Sequence, residues 1–194
     1  MMKGIATRSR ILDEAAKQAS LRGLAVVSLN DVAESIGMSK SGLFKHFQAK
    51  EVMQHAVLEA TIERFKETVW IPATLLPPGR ARLDALFEGR LNWDEYECGE
   101  FGCLMHSAQV EFEDQPGSIR DLLHDAVRKL AEIMHDEFAA LKTPPMSEDE
   151  IAQASFELNG LVTGFYQSRR VMADGEARLR ARTAYIGLMQ RLSA

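Results

Sequence analysis

The sequence predicts an all-α protein of about nine helices, in which a small three-helix head is joined by a long helix to a larger helical body. Apolar residues recur at helical spacing along most of the 194 residues, and strand-like alternation is scarce. Breaks rich in Pro and Gly separate the helical segments. The hydrophobic content of 46% is enough for one large domain or for a small domain joined to a larger one.

The three helices of the head are predicted from their apolar faces and from the residues that begin or end them. The first helix ends near Arg22, and the second has Ser28 as its N-cap and Gly37 just after its end. Ser39 can cap the third helix. The apolar positions of the three faces are Ile11, Leu12, Ala15, Ala16, Ala19, Leu29, Val32, Ala33, Ile36, Leu43 and Phe47.

A long helical pattern follows from Ala49 to Trp70 and stops before Pro72. At about 1.5 Å per residue this helix would span about 30 Å, which is long enough to bridge two domains. In the body, Ser147 and Glu150 have the spacing of a capping box. The body helices are predicted near residues 80–93, 103–113, 118–141, 147–172 and 175–192.

Charge is distributed unevenly between the two parts of the chain. Residues 1–50 hold eight Lys or Arg and four acidic residues, a net charge of +4. The remaining 144 residues hold 15 basic and 24 acidic residues, a net charge of -9. A basic head on an acidic body suggests that only the head meets a polyanion. We therefore expect two parts, a head at 1–50 that contacts a polyanion and a body at 51–194.

The second and third helices have the features of a helix-turn-helix, in which the second helix of the pair lies in the DNA major groove. Ala33 is small where the helices would cross, and Gly37 tolerates the positive φ of a tight turn. Ser41 and Gly42 are small enough to let the backbone approach base edges. Lys50 begins the next helix, where a cation and free N–H groups favour a phosphate. A solvated three-helix bundle, whose lysines merely face water, is the alternative.

Residues 7–53 resemble the DNA-binding head of the tetracycline-repressor (TetR) family of bacterial transcriptional regulators. The matching features are Arg10-Ile11-Leu12, Ala15-Ala16, Gly23, Val32-Ala33, Gly37, Ser39, Leu43, His46-Phe47 and Lys50-Glu51. The resemblance implies a helix-turn-helix DNA-binding domain at 1–50 and a ligand-binding and dimerisation domain at 51–194. It further implies a homodimer that binds a double-stranded DNA operator. It also implies a repressor that a small, largely apolar effector releases from DNA.

By this resemblance some residues approach bases and others contact the DNA backbone. The family usually has tyrosine where this chain has Phe44, so a phenol–phosphate hydrogen bond is missing. Glycine is common at the position of Ser41, whereas here it follows at Gly42. These departures leave the operator sequence open. The residues implied to approach bases are Lys40, Ser41 and Gly42, with Asn30 as a possible contributor. The residues implied to contact the backbone are Ser28, Phe44, His46 and Lys50, and Ser39 is a further implied DNA-binding residue.

The resemblance also implies an effector pocket among the body helices, although large apolar residues there are more often ordinary core. Effector pockets are mostly apolar and contain a few polar groups. No residue identifies the ligand. The candidate pocket residues are Phe87, Trp93, Phe101, Met105, His106, Gln109, Met134, Phe138, Asn159, Thr163 and Tyr166.

Two glycines on one helix face suggest a close approach by another helix, either within the chain or across a dimer. Each glycine costs about 1 kcal/mol of helix propensity relative to alanine, so a packing reason is expected. In the family that the head resembles, the final two helices form the dimer interface as a four-helix bundle. The candidate interface residues are Gly160, Gly164, Ala181, Tyr185 and Leu188.

Cys98, Cys103 and His106 offer an alternative function as a metal-based or thiol-based sensor. Their C-x4-C-x2-H spacing lacks the usual C-x2-C pair, and buried free cysteines are common in cores. We therefore expect no metal and no cofactor. An enzyme with Cys103 as nucleophile and His106 as base would also need an oxyanion loop and a third orienting residue, which the sequence does not offer.

A nonspecific architectural DNA-binding protein is the main rival function, although a head charge of +4 is weak for that role. A small helical enzyme is the second rival. The start of the chain has no apolar core of signal-peptide length, and no later stretch approaches the length of a membrane span. We therefore expect a cytoplasmic protein that has no membrane contact and is not an enzyme.

Overall fold

The computed structural model describes residues 2–193, with side chains from residue 6 onward, and these residues form helices and turns without a strand. Two short π-helical turns cover Lys66–Trp70 and Trp93–Glu97. The α-helices are α1 (Met2–Arg22), α2 (Leu29–Ser35), α3 (Lys40–Phe44), α4 (Lys50–Phe65), α5 (Ile71–Ala73), α6 (Arg80–Asn92), α7 (Leu104–Phe112), α8 (Ser118–Ala139), α9 (Glu148–Arg170) and α10 (Ala177–Ser193). Since α5 is a single turn, nine longer helices remain in the described part, and the all-α prediction is confirmed.

The predicted helix starts are capped as expected. The hydroxyl of Ser28 accepts a hydrogen bond from the Asp31 N–H at 3.2 Å, and the Asp31 carboxylate accepts one from the Ser28 N–H at 3.2 Å. At the start of α9, Ser147 accepts from the Glu150 N–H at 3.3 Å, and Glu150 accepts from the Ser147 N–H at 2.7 Å. Both helices therefore begin with complete capping boxes.

The long helix predicted from Ala49 to Trp70 is not uniform. Regular α4 ends at Phe65, a π-helical turn follows, and α5 continues the helical path through Pro72 to Ala73. The π-turn ends the regular bonding pattern, so Pro72 falls in the first turn of a new helix. At that position its missing N–H costs no hydrogen bond, which explains why proline does not end the helical segment at Trp70.

The chain folds into two compact units, and their limits differ from the predicted boundary at residue 50. The first unit contains the chain up to Arg64 together with Cys98–Ala126, and the second contains Phe65–Glu97 with the chain from Val127 onward. In the first unit, α7 and the start of α8 pack into the same core as the head helices. Side chains of α1–α4, α7 and α8 share that core, including Ile11, Val32, Leu43, Phe47, Leu58, Leu104, Ala108, Phe112 and Leu123.

The second unit is built around contacts of α6 with α9 and α10. The Tyr185 ring stacks on Phe87 with centroids 4.1 Å apart, and its hydroxyl donates to Asp84 at 2.8 Å. Burial and this hydrogen bond raise the pKa of Tyr185, so the phenol stays protonated. Arg178 donates to Glu88 at 2.9 Å and also pairs with Glu95.

None of the described helices combines the length and apolarity that crossing a membrane requires.

Candidate nucleic-acid interface and effector site

The segment from α2 to α3 has the geometry of a helix-turn-helix. The Met38 N–H donates to the Ala33 carbonyl at 2.8 Å and closes the turn, and Gly37 has φ +67°. No heavy atom lies within 4 Å of a Cβ built on Gly37, so this position needs glycine for its backbone conformation and not for space. Leu43 and Phe47 are fully buried beneath the turn, which fixes the face that α3 turns outward.

The outward face of α3 carries the residues predicted to meet bases. Lys40 and Ser41 are exposed, and Phe44 is 39% exposed. The Ser39 hydroxyl accepts from the Gly42 N–H at 3.1 Å, and a Cβ at Gly42 would lie only 3.0 Å from that hydroxyl oxygen. A side chain at position 42 would therefore crowd the Ser39 hydroxyl that caps α3. Its absence also leaves room for DNA to approach the helix.

The residues predicted to contact the DNA backbone occupy less uniform positions. His46 is half-buried just after α3, and Asn30, which was predicted as a possible base contact, is exposed in the first turn of α2. The Ser28 hydroxyl already accepts the capping hydrogen bond of α2. The Lys50 ammonium donates to the Ala25 carbonyl, so it is held against the segment between α1 and α2 and does not extend freely into solvent. Ser28 therefore forms the helix cap that the sequence predicted, whereas the bond from Lys50 to the Ala25 carbonyl was not predicted.

The loop between α1 and α2, residues 23–25, is held by side chains from two other helices. The Glu111 carboxylate of α7 accepts from the Leu24 N–H at 2.7 Å and from the Ala25 N–H at 2.9 Å. Gln54 donates to the Leu24 carbonyl at 2.6 Å, and Lys50 donates to the Ala25 carbonyl. No local pattern predicts these contacts, because Glu111 lies 87 residues from Leu24 in the sequence.

Several other basic residues of the head also have internal partners. Arg10 donates to the Ile36 carbonyl at 3.2 Å, and Arg8 lies over the Phe47 ring at 5.0 Å. Arg22 pairs with Asp31 at 3.5 Å. The Ser28 hydrogen bonds, with a smaller effect of Arg22, lower the pKa of Asp31, so this acid remains charged near the head surface. The cation best placed on the outward face of α3 is therefore Lys40.

The predicted effector residues divide between the two units. Phe101, Met105, His106 and Gln109 belong to the first unit, and the other seven belong to the second. In the second unit Phe87, Trp93, Met134 and Phe138 are buried, whereas Asn159 is exposed and its amide oxygen accepts from Arg90 at 3.3 Å. The eleven residues therefore do not line a single pocket within one unit.

Trp93 differs from the other buried candidates because its polar atom has no partner. Its side chain is 4% exposed. Its Nε1 atom is buried and has no hydrogen-bond partner among the described residues. The ring meets Phe65 edge to face, with centroids 5.2 Å apart. Phe65 precedes one π-turn and Trp93 begins the other, and such turns often occur at functional sites. A buried donor of this kind is suited to a ligand acceptor.

Two cavities of about 320 and 310 Å³ lie in the first unit. The larger is lined by Lys50, Gln54, Phe112 and neighbouring residues, and the smaller lies along α4 near His55 and Glu59. None of the eleven predicted effector residues lines either cavity.

The predicted dimer residues fall into two groups. Gly160 and Gly164 are exposed, and no heavy atom lies within 4 Å of a Cβ built on either. Ala181, Tyr185 and Leu188 are instead buried inside the second unit, with 6%, 5% and 1% exposure. Because their surface is already covered within one chain, they have little left to offer a second copy. The apolar residues that stay exposed on α9 and α10 are Phe156, Leu179 and Ile186.

Two family models match this sequence. The model described as "Bacterial regulatory proteins, tetR family" matches residues 11–57. The model described as "Tetracyclin repressor-like, C-terminal domain" matches residues 79–185, which is more than half of the chain. No curated protein matches the chain at a significant level.

Solved structures of similar proteins share the fold over most or all of the chain. A TetR transcriptional regulator from Chloroflexus aurantiacus has 18% identity and a TM-score of 0.84, covering 100% of this chain and 97% of that one. SCO4454 from Streptomyces coelicolor has 16% identity and a TM-score of 0.79, covering 96% of both chains. AibR, solved with isovaleryl coenzyme A and operator DNA, has 20% identity and a TM-score of 0.67, covering 82% and 85%. At these identities the likeness establishes the fold alone.

Proposed function

Because the chain belongs to the TetR family of bacterial DNA-binding transcriptional regulators, we propose that it is a repressor that binds a palindromic operator as a homodimer and is released by a small effector. The observation that carries this proposal is the outward face of α3, where exposed Lys40 and Ser41 stand beside Gly42 over a buried support of Leu43 and Phe47. A helix fixed in this way can enter a major groove as a rigid body.

The exposed stripe on α9 and α10 supports the dimer. Gly160 and Gly164 leave open space one turn apart on α9, and Phe156 on the same helix is 77% exposed. Leu179 and Ile186 of α10 are 63% and 51% exposed. Apolar residues beside small ones suit a close helix–helix contact with a second copy, since exposed apolar patches often mark interfaces. This stripe replaces the buried residues Ala181, Tyr185 and Leu188 as the proposed interface on α10.

Trp93 supports an effector site in the second unit. Leaving a buried donor without a partner costs about 1–3 kcal/mol, which an acceptor on a bound ligand would recover. We propose that the effector is largely apolar and places a carbonyl or another oxygen acceptor at the Trp93 Nε1. AibR, a protein of the same fold, was solved with both a small molecule and operator DNA, which agrees with a regulator of this type.

The proposed mechanism follows from the geometry of a dimer on DNA. Two recognition helices must reach successive major grooves, whose centres lie about 34–36 Å apart on one face of the duplex. An effector that binds better to a dimer with a different separation of these helices shifts the population away from the DNA-bound form. The regulator acts where the chromosome lies, in the cytoplasm.

Selection from a random pool of duplexes, followed by footprinting at moderate salt, tests the DNA-binding role. We expect the selected sequences to contain one inverted repeat and the footprint to protect it as a single block. A nonspecific architectural protein would enrich no sequence and would lose most of its affinity as salt rises. An enzyme would instead show substrate turnover by the full-length protein without DNA, which is the result that contradicts a role limited to regulation.

Native mass spectrometry of Trp93→Phe tests the effector site. The substitution keeps a buried aromatic ring and removes the unpartnered N–H. We expect a small molecule that co-purifies with the wild-type protein to be lost or to bind about tenfold more weakly, in line with one buried hydrogen bond. Trp70→Phe, in the same unit, is the matched control and should retain the molecule. Equal retention by both variants would remove Trp93 from the site.

A further inference from the structure

The chain contains two cysteines, and the structure brings them together at the ends of one loop. Neither Cys98 nor Cys103 is in a disulfide, and their sulfur atoms lie within 4.8 Å of each other. A disulfide bond is about 2.05 Å long, so rotation of the side chains and a small loop movement would join these sulfurs. The sequence spacing alone favoured two ordinary core cysteines. From the geometry we propose that Cys98 and Cys103 are a peroxide-sensitive thiol pair that forms a reversible disulfide.

The backbone of the intervening loop explains why the two sulfurs meet. Gly99 has φ +51° and Gly102 has φ +89°, so each glycine next to a cysteine adopts a left-handed conformation. The Phe101 N–H donates to the Cys98 carbonyl at 3.2 Å and tightens the turn. The Lys17 ammonium lies 4.9 Å from the centre of the Phe101 ring, which fastens the loop to α1. The loop therefore turns back on itself and is anchored within the first unit.

The environments of the two cysteines suit different steps of the reaction. Cys98 is half-buried and Cys103 is 2% exposed, so Cys98 is the less buried of the two residues. Cys103 is the N-cap residue of α7, and the positive end of a helix dipole favours a thiolate at that position. We assign the first reaction with peroxide to Cys98 and the second, in which the bond to Cys98 forms, to Cys103.

The reaction uses hydrogen peroxide as the oxidant. The Cys98 thiolate attacks one peroxide oxygen, the O–O bond breaks, and Cys98 becomes a sulfenic acid while hydroxide leaves. The Cys103 thiolate then attacks the sulfenic sulfur, the S–S bond forms, and a second hydroxide leaves. The two hydroxides take up the two thiol protons. Two thiols and one peroxide thus give one disulfide and two waters.

The position of Cys103 links this reaction to the helix that holds loop 23–25. Leu104 and Ala108 of α7 are buried in the first unit's core, and Glu111 of the same helix holds the N–H groups of Leu24 and Ala25. Drawing the Cys103 sulfur towards Cys98 pulls on the start of α7. We expect the resulting shift to loosen the Glu111 contacts and to lower operator affinity. This consequence rests on the proposed DNA-binding function, whereas formation of the disulfide does not.

Thiol titration and intact mass of the full-length protein test the modification itself. After a stoichiometric amount of hydrogen peroxide, we expect both thiols to disappear, the mass to fall by two hydrogen atoms, and dithiothreitol to restore both. Cys103→Ser should stop at a Cys98 sulfenic acid that dimedone traps, and Cys98→Ser should retain its buried thiol. Two thiols that remain titratable after unfolding, or a disulfide that joins two chains, would overturn the proposal.

Operator affinity measured before and after oxidation tests the regulatory consequence. We expect the oxidised wild type to bind its selected operator about tenfold more weakly than the reduced form, a usual size for coupling between sites. The double variant Cys98→Ser with Cys103→Ser should bind like the reduced wild type and should not respond to peroxide. Equal affinity of the oxidised and reduced forms would overturn the regulatory role. If reduced protein selects no palindrome, the proposed function fails and the thiol result stands independently.

Discussion

In the first unit, loop 23–25 has its backbone polar groups bonded by Glu111, Gln54 and Lys50, whereas in the second unit the indole N–H of Trp93 is buried without a partner. On α9 of the second unit, Phe156 is 77% exposed on the helix that carries Gly160 and Gly164, whereas Leu43 and Phe47, which support α3 in the first unit, are fully buried.

This difference agrees with the two tasks that we propose for the two units. A recognition helix must keep one position relative to its own core, and a satisfied polar network resists movement. A ligand-binding and dimerising unit must instead keep unsatisfied groups for partners that are absent from a single chain. Changes in the first unit should therefore alter stability or base recognition, and changes in the second should alter assembly or effector binding.

The largest effect is expected from Gly164→Leu on α9. The new side chain finds open space in a single chain but should force two copies apart, at a cost of about 1–3 kcal/mol or more per overpacked contact. A monomer holds only one half-site, so operator affinity should fall by roughly 100-fold or more. Sedimentation should show a monomer while circular dichroism changes little.

Ala131→Leu adds the same apolar bulk at an exposed position of α8 and serves as the control. It should remain a dimer with normal operator affinity. If Gly164→Leu is also a stable dimer at low micromolar concentration, the proposed interface is wrong and the stripe on α9 does not carry assembly.

Glu111→Gln should have the next largest effect and should act in the first unit. The amide can accept only one of the two hydrogen bonds that the carboxylate accepts from loop 23–25, so we expect a loss of about 2–3 kcal/mol in unfolding free energy. Both tryptophans lie in the second unit, so their fluorescence reports that unit while circular dichroism reports the whole chain. The circular-dichroism transition should move to lower urea and the fluorescence transition should stay.

Glu113→Gln, an exposed neighbour at the end of α7, is the matched control and should leave both transitions in place. Equal stability of Glu111→Gln and Glu113→Gln would show that the contacts to loop 23–25 do not support the first unit.

Lys40→Ala should reduce recognition without affecting the fold. Lys40 is exposed on α3, and a base contact by a lysine contributes about 1–3 kcal/mol of discrimination. We expect the variant to lose preference among operator variants while its affinity for unrelated duplexes is nearly unchanged. An equal loss of affinity for every sequence would assign Lys40 to the DNA backbone.

Lys50→Ala should have the smallest effect, and it tests two roles at once. Its ammonium has three N–H groups, one of which bonds the Ala25 carbonyl, so the others can still meet a phosphate. We expect a stability loss of about 1 kcal/mol and a salt dependence flattened by about one phosphate contact for all duplexes. An unchanged salt slope with reduced stability would make Lys50 a purely structural residue.

The elements that the sequence predicted correctly depend on neighbours a few residues apart. Ser28, Ser39 and the pair Ser147 and Glu150 begin helices through contacts within one turn, so their pattern is visible without the fold. The outward position of Lys40 follows from the apolar pair Leu43 and Phe47 on the opposite side of the same helix.

The features that the sequence did not predict depend on which surface covers which. The stripe at Ala181, Tyr185 and Leu188 correctly indicated a buried face of α10, but periodicity does not tell whether the covering surface belongs to the same chain. Likewise, Glu111 is an ordinary surface acid by its sequence, and only the fold brings it to loop 23–25. The boundary between units differed for the same reason, since α7 joins α1–α4 through long-range packing.

We propose that two copies of the α3 surface read one operator together. A change in the spacing of the operator tests this proposal most directly. Inserting five base pairs between the half-sites of the selected palindrome turns one half-site to the opposite face of the duplex, because a helical turn is about 10 base pairs. We expect the affinity of the protein for the lengthened operator to fall to its affinity for a duplex with a single half-site. Unchanged affinity on the lengthened operator would contradict it, because the two half-sites would then be read independently.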